Sequence, residues 1–181
     1  TGLTAALALA HLCGPEAEQR GQVYSAAADR AQAALLYAEM KAIIERVPAL
    51  ERRVIVRDFN KHLEDTVTGS IYQALSADAR TKHGFSASCW IYDELAQAPD
   101  RKLYDVLSTS TAARKEPLGI VISTQSSDPH SIMSELLDYG RQILDGVLED
   151  EHFFPVIYTA PEAADPWDPA TWKKCNPALG D

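Results

Sequence analysis

Apolar runs alternate along this chain with stretches whose apolar positions recur at helical spacing. Small and apolar residues from about Gly2 to Cys13, closed by Gly14-Pro15, predict a helix. Gly21 to Ala27 reads as a short strand. Asp29 then stands where a helix cap belongs, and Ala34, Leu35, Tyr37, Ala38, Ile43 and Ile44 follow at helical spacing. A helix is expected from Arg30 to about Arg46, stopping at Pro48. Val54-Ile55-Val56 is a short strand candidate, and the β-branched stretch from Thr66 to Leu75 suits a hairpin or an edge strand. Cys89 to Tyr92 and Gly119 to Gln125 read as buried strands, Lys102 to Ala113 and Ile132 to Asp145 as helices, and Phe153 to Thr159 as a last strand.

Strands that alternate with helices, written as apolar runs, indicate an α/β fold with a mainly parallel sheet flanked by helices. Such sheets bind ligands at the C-terminal ends of their strands. Three of these ends carry small or polar groups: Ser25 to Ala28, Asp93-Glu94, and Ser123-Thr124-Gln125. Right-handed crossovers would bring all three to one edge.

Composition narrows the picture. The 181 residues suffice for one substantial domain with a core, and 46% hydrophobic with 24% charged residues is ordinary for a soluble globular chain. A net charge of −9 argues against a surface that grips DNA by bulk electrostatics, though not against a local basic patch or contact made by a ring of subunits. Cys13, Cys89 and Cys175 are odd in number, far apart and without a CxxC pair. Neither a zinc site nor a disulfide framework is expected, and a reducing cytoplasm fits. No apolar run reaches the length of a membrane span, and no signal peptide is visible. The chain opens directly on its first helix and ends at Asn176-Pro177-Ala178-Leu179-Gly180-Asp181, so both ends read as cut from a longer protein.

The candidate chemistry centres on Cys89-Trp90-Ile91-Tyr92-Asp93-Glu94-Leu95. An apolar strand delivers two adjacent carboxylates to the edge of a sheet, where an unpaired charge escapes the cost of burial. Two acids there suit a hydrated Mg²⁺ and the activation of a water. This is the Walker B arrangement of P-loop ATPases, in which Asp93 would hold the metal and Glu94 would polarise the attacking water. By periodicity alone the pair reads equally well as acids at a helix N-terminus, and Thr124-Gln125 as solvated residues at a strand end. Arg80, in a loop with Lys82 upstream of Asp93, is a candidate for an arginine donated to a neighbour's γ-phosphate, as are Arg30 and Arg114, against the plainer reading of solvated surface cations. Trp167 and Trp172 suit either a DNA-stacking surface or an apolar clamp. The five histidines are scattered, and none is assigned a role.

Taken with Tyr24-Ser25-Ala26-Ala27-Ala28-Asp29-Arg30, Ile122-Ser123-Thr124-Gln125 and the tail from Asp165-Pro166-Trp167 to Trp172-Lys173-Lys174-Cys175-Asn176-Pro177, the acidic pair resembles the large terminase subunit of tailed phages. The resemblance runs in order across nearly the whole chain. It implies a P-loop NTPase fold of the RecA-like (ASCE) kind, truncated at the N-terminus. Residues 1–160 would be a partial ATPase domain and residues 161–181 a linker towards a nuclease domain that this chain does not contain. The Gly-Lys of the phosphate loop is also missing, so Thr1 would be the hydroxyl residue that follows it and would ligate Mg²⁺ with Asp93. The resemblance further implies ATP and Mg²⁺ as cofactors, with Thr124 and Gln125 sensing the γ-phosphate. The implied partners are double-stranded DNA, the phage portal, the small terminase subunit and further copies in a ring, with no membrane involved, in the cytoplasm of a bacterial host. Without the loop lysine, this stretch alone is expected to hydrolyse ATP negligibly. The alternatives are a helicase-like ATPase of the same fold, a degenerate non-catalytic prophage module, and a metal-dependent nuclease built on Asp93 and Glu94.

Overall fold

The structure, a computed structural model, describes residues 2–76, 84–161, 163–176 and 178–179, and only the backbone at Arg30. The chain divides into two compact units, Thr1–Glu135 and Leu136–Asp181. In the first unit, strands β1 (Gln22–Ala27), β2 (Val54–Arg57), β3 (His62–Asp65), β4 (Ile71–Ser76), β5 (Cys89–Asp93) and β6 (Leu118–Ile122) form one sheet in the order β2-β3-β4-β1-β5-β6. The pairs β4-β1, β1-β5 and β5-β6 are parallel. The pairs β2-β3 and β3-β4 are antiparallel. The sheet is therefore mixed, with a parallel centre extended on one side by a hairpin.

Two helices cover one face. α1 (Gly2–Cys13) and α2 (Arg30–Arg46) pack on each other, and both pack on β1. Ala5, Ala8, Leu9 and Leu12 of α1 and Leu36, Tyr37, Met40 and Ile44 of α2 form one apolar cluster with Val23, Leu63, Tyr72, Cys89 and Ile91. Alternation along β5 sends Cys89 and Ile91 to this face and Trp90 and Tyr92 to the other. Trp90 meets Tyr104 edge-to-face at 5.6 Å between ring centroids; Tyr104 belongs to α4 (Lys102–Thr109). Gly119 is required by this contact, since a Cβ there would lie 2.3 Å from the Trp90 ring. Asp29 caps α2 as expected, accepting from the Ala31 and Gln32 amides at 2.7 and 2.9 Å. Pro48 opens the short helix α3 (Pro48–Glu51).

The direction of α1 sets the edge at which chemistry is to be sought. Its last residue, Cys13, lies within electrostatic reach of Arg53 and Asp65. Asp65 ends β3, which runs against its neighbour β4, so it marks the edge where the parallel strands begin. The twelve residues of α1 rise about 18 Å, roughly the length of a six-residue strand. The Gly2 end of α1 therefore lies towards the edge where β1, β5 and β6 finish. Thr1 is outside the described residues.

Several expectations need correction. The stretch from Thr66 to Leu75 is part turn and part strand: 66–68 form a turn followed by Gly69 at φ +70, and β4 lies inside the sheet between β3 and β1. The β3-β4 hairpin itself was legible as a possibility. β6, expected as a buried strand, is the last in the order among the described residues, with Leu118 and Ile122 about two-fifths exposed. An apolar run alone does not distinguish an edge strand from a central one.

In the second unit, α5 (Ile132–Leu144), shared with the first, continues past the division. Residues 153–159, expected as a strand, form none. They alternate in burial as a strand would, and Phe153, Pro155 and Ile157 pack around Gly140 of α5. No ladder partner lies beside them among the described residues, and Pro155 has no amide to offer one. The expected linker contains a short helix, α6 (Pro169–Cys175), capped by Asp168 through the Ala170 amide at 2.9 Å.

Candidate functional site

The three polar strand ends named from sequence lie on one edge. β5 lies between β1 and β6 and runs parallel to both, so Ala27, Asp93 and Ile122 end at one edge, and Asp93 pairs with Ile122 in register. Alternation places Asp93 on the face that carries Cys89 and Ile91, the face covered by α1. Its side chain is partly exposed. Among the described residues, no ion pair engages Asp93 or Glu94.

The chain reverses abruptly after Asp93. Glu94 adopts φ 55 and ψ 51, the left-handed region, which costs an L-residue about 1–2 kcal/mol. Arg20 and Lys61 share this conformation, at φ 53 and 49, so it marks a turn held by its neighbours and is not by itself the sign of a working site. Here the Glu94 amide donates to the Ile122 carbonyl at 2.7 Å, extending the β5-β6 ladder by one bond. A single 3₁₀ turn, Leu95–Gln97, follows, and Glu94 makes no side-chain cap to it. Glu94 thus stands at the N-terminus of this turn, as the alternative reading of the two acids expects, but its side chain caps none of the turn's amides. Its carboxylate instead accepts a hydrogen bond from the Thr124 hydroxyl at 3.3 Å. The Ser123 hydroxyl accepts from the Ala96 amide at 2.9 Å and donates to the Thr124 carbonyl at 2.9 Å.

The edge thus brings together Asp93, Glu94 and Thr124, and Gln125 is exposed immediately after them. Ser123 was missed as a site residue, although the strand-end signal Ser-Thr-Gln contained it. Arg80 and Lys82 lie outside the described residues, as does the Arg30 side chain. Arg114 is excluded from this edge. Its guanidinium bonds the Ser86 carbonyl at 2.9 Å, Glu18 at 3.1 Å and the Arg20 carbonyl at 3.2 Å, all where the parallel strands begin. In the second unit, Trp172 donates to the Pro166 carbonyl at 2.6 Å, and Trp167 is largely exposed.

Among the described residues, no three His, Cys, Asp or Glu side chains are grouped to hold a metal ion. A single partly exposed carboxylate at a strand end suits a cation that takes its other ligands from water and phosphate oxygens, as Mg²⁺ does with nucleotides. The residues present fit Mg·ATP in that sense, with Asp93 as the carboxylate. Among them, too, no helix is long and apolar enough to cross a membrane.

Comparison with known proteins gives a consistent result. The family described as "Terminase large subunit, ATPase domain" matches residues 2–142. The large terminase subunit of Enterobacteria phage HK97 is 37% identical over 182 residues, covering 99% of this chain and 35% of the relative. The crystal structure of the HK97 large terminase superposes with a TM-score of 0.86 at 34% identity, covering 98% of this chain and 36% of that one. The large terminase ATPase domain of Thermus phage P74-26 shares the fold at a TM-score of 0.60 and 18% identity, covering 74% of this chain and 57% of that one. The chain spans about a third of the length of the HK97 relative.

Proposed function

The chain belongs to the terminase large-subunit ATPase family, and from that premise we propose that it forms part of a motor that hydrolyses ATP to drive double-stranded DNA into a viral capsid. One observation carries the reading. The carboxylate of Glu94 stands beside Asp93 at the end of β5 and is hydrogen-bonded by a hydroxyl from the end of β6.

Asp93 would hold Mg²⁺, directly or through water, and Thr1 would add its hydroxyl oxygen. Bound Mg·ATP supplies an electrophilic γ-phosphate whose developing charge the metal offsets. Glu94 orients a water in line with that phosphate and receives its proton. Thr124 holds the Glu94 carboxylate in the resting arrangement. Both Thr124 and Gln125 carry groups able to exchange partners when the γ-phosphate departs. A change at β6 would then be passed to the chain beyond it. The positive end of α1 lies towards the same edge, where it favours bound phosphate.

We assign residues 1–160 to the ATPase domain and 161–181 to a linker. The partners would be a portal, a small terminase subunit, DNA and copies of the same chain, in the cytoplasm of an infected bacterium. The test is steady-state phosphate release by the full-length gene product. We expect turnover of ATP that Glu94→Gln lowers at least about 100-fold while nucleotide binding persists. Turnover unaffected by Glu94→Gln, or none in the intact protein, would overturn the reading.

A further inference from the structure

The left-handed turn at Glu94 is held from both sides by the exit of β6. Ahead of it, the Glu94 amide donates to the Ile122 carbonyl at 2.7 Å. Beyond it, the Ala96 amide donates to the Ser123 hydroxyl at 2.9 Å. The first bond is backbone to backbone and survives any side-chain change. The second depends wholly on one hydroxyl. That hydroxyl also donates to the Thr124 carbonyl at 2.9 Å, and the Thr124 side chain returns to Glu94 Oε2 at 3.3 Å. The four residues close a ring: Glu94 to Ala96 along the chain, across to Ser123, on to Thr124 and back to the Glu94 carboxylate. Each bond in it crosses or flanks the gap between the β5 and β6 ends.

We propose that Ser123 is a positioning residue for Glu94: its hydroxyl clamps the strained turn so that the Glu94 carboxylate is delivered to the attacking water. The inference rests on the ATPase reading and adds to it a residue that touches neither nucleotide nor metal. A hydroxyl is required because it must accept from one amide and donate to one carbonyl at once. Alanine can do neither, whereas threonine retains both. Because the strain at Glu94 favours relaxation to an ordinary backbone conformation, loss of the clamp should let the carboxylate drift. Small misplacements of a reacting group cost large factors in rate, on the order of 100-fold for about 1 Å. ATP binding should be spared, since no phosphate contact is removed.

The test uses the full-length gene product with three measurements. In steady-state ATP hydrolysis, Ser123→Ala is expected to lower kcat by about tenfold or more, with KM for ATP and melting temperature nearly unchanged, and Ser123→Thr to restore most of kcat. A Ser123→Ala protein with kcat within about twofold of wild type would overturn the proposal. So would parallel losses in kcat, ATP affinity and melting temperature that threonine fails to rescue, which is the pattern of a purely structural role. Amide hydrogen exchange on the unaltered protein gives a reading that needs no variant to fold. The Ala96 amide is expected to be protected, and exchange at the rate of a free amide would remove the clamp. Glu94→Gln is run alongside. If it leaves turnover intact, the ATPase reading fails and takes this proposal with it. If it abolishes turnover while Ser123→Ala does not lower it, only the present proposal fails.

Discussion

Asp65 and Asp93 each end a strand of the same sheet, one at the edge where the parallel strands begin and the other where they finish. Asp65 is fully buried, and both its oxygens are hydrogen-bonded. Arg53 reaches it through two nitrogens at 2.6 and 2.9 Å, and Thr68 adds its hydroxyl at 2.6 Å and its amide at 3.0 Å. Ser70 extends the network, bonding the Glu18 carbonyl and receiving the Gly21 amide. Arg114 closes the same edge by gathering Glu18, Arg20 and Ser86. Asp93 is partly exposed, and no ion pair engages it among the described residues. Its neighbour Glu94 sits on a strained backbone with one long hydrogen bond from Thr124. One edge spends its polar groups on one another. The other leaves carboxylate capacity open, which a cation or a water can use.

The largest test of this contrast is Asp65→Asn. It leaves the Arg53 guanidinium without its counter-charge at a buried network and should destabilise the chain by about 3 kcal/mol in denaturant titration. A cost under about 1 kcal/mol would mean that the closed edge is not a stabilising device. Acid gives a smaller, related effect. Burial pushes the Asp65 carboxyl up, but Arg53 and the Thr68 hydroxyl and amide outweigh it and bring it down to about 2. Its folded-state value lies below the ordinary carboxylate value of about 3.9, so its contribution is complete above that pH. It is lost as pH falls towards 2, by about 2 kcal/mol in all. Asp65→Asn should remove that part of the acid dependence. The smallest effect sharpens the contrast most. Asp93→Asn should change stability by no more than about 0.5 kcal/mol, the ordinary result for a surface site, while ATP turnover by the full-length product is lost. A large destabilisation would make Asp93 a structural residue like Asp65.

Much of the open edge was legible in the sequence because its signals are local. An apolar run broken by two acids located the end of β5, and Asp29 announced the cap of α2. Ser123-Thr124-Gln125 was marked as a polar strand end, but the role of Ser123 depends on a bond to Ala96, 27 positions away. The closed edge was barely legible. β3 is His62-Leu63-Glu64-Asp65, three polar residues in four, and nothing local says that its aspartate will be buried against Arg53. Strand order is likewise non-local, so the apolar run of β6, which reads as a buried strand, does not reveal that β6 is the last in the order among the described residues. At residues 153–159 the alternation was real, but a strand also needs a partner to pair with. Arg114 reads in sequence as an available cation, and only the fold shows its guanidinium committed to three acceptors.

Whether ATP is held and cleaved at this edge is decided by a structure of the full-length gene product with Mg²⁺ and a non-hydrolysable ATP analogue. The metal is expected within reach of the Asp93 carboxylate, and a water between the γ-phosphate and Glu94. A nucleotide bound elsewhere, with Asp93 and Glu94 facing only solvent, would contradict this placement.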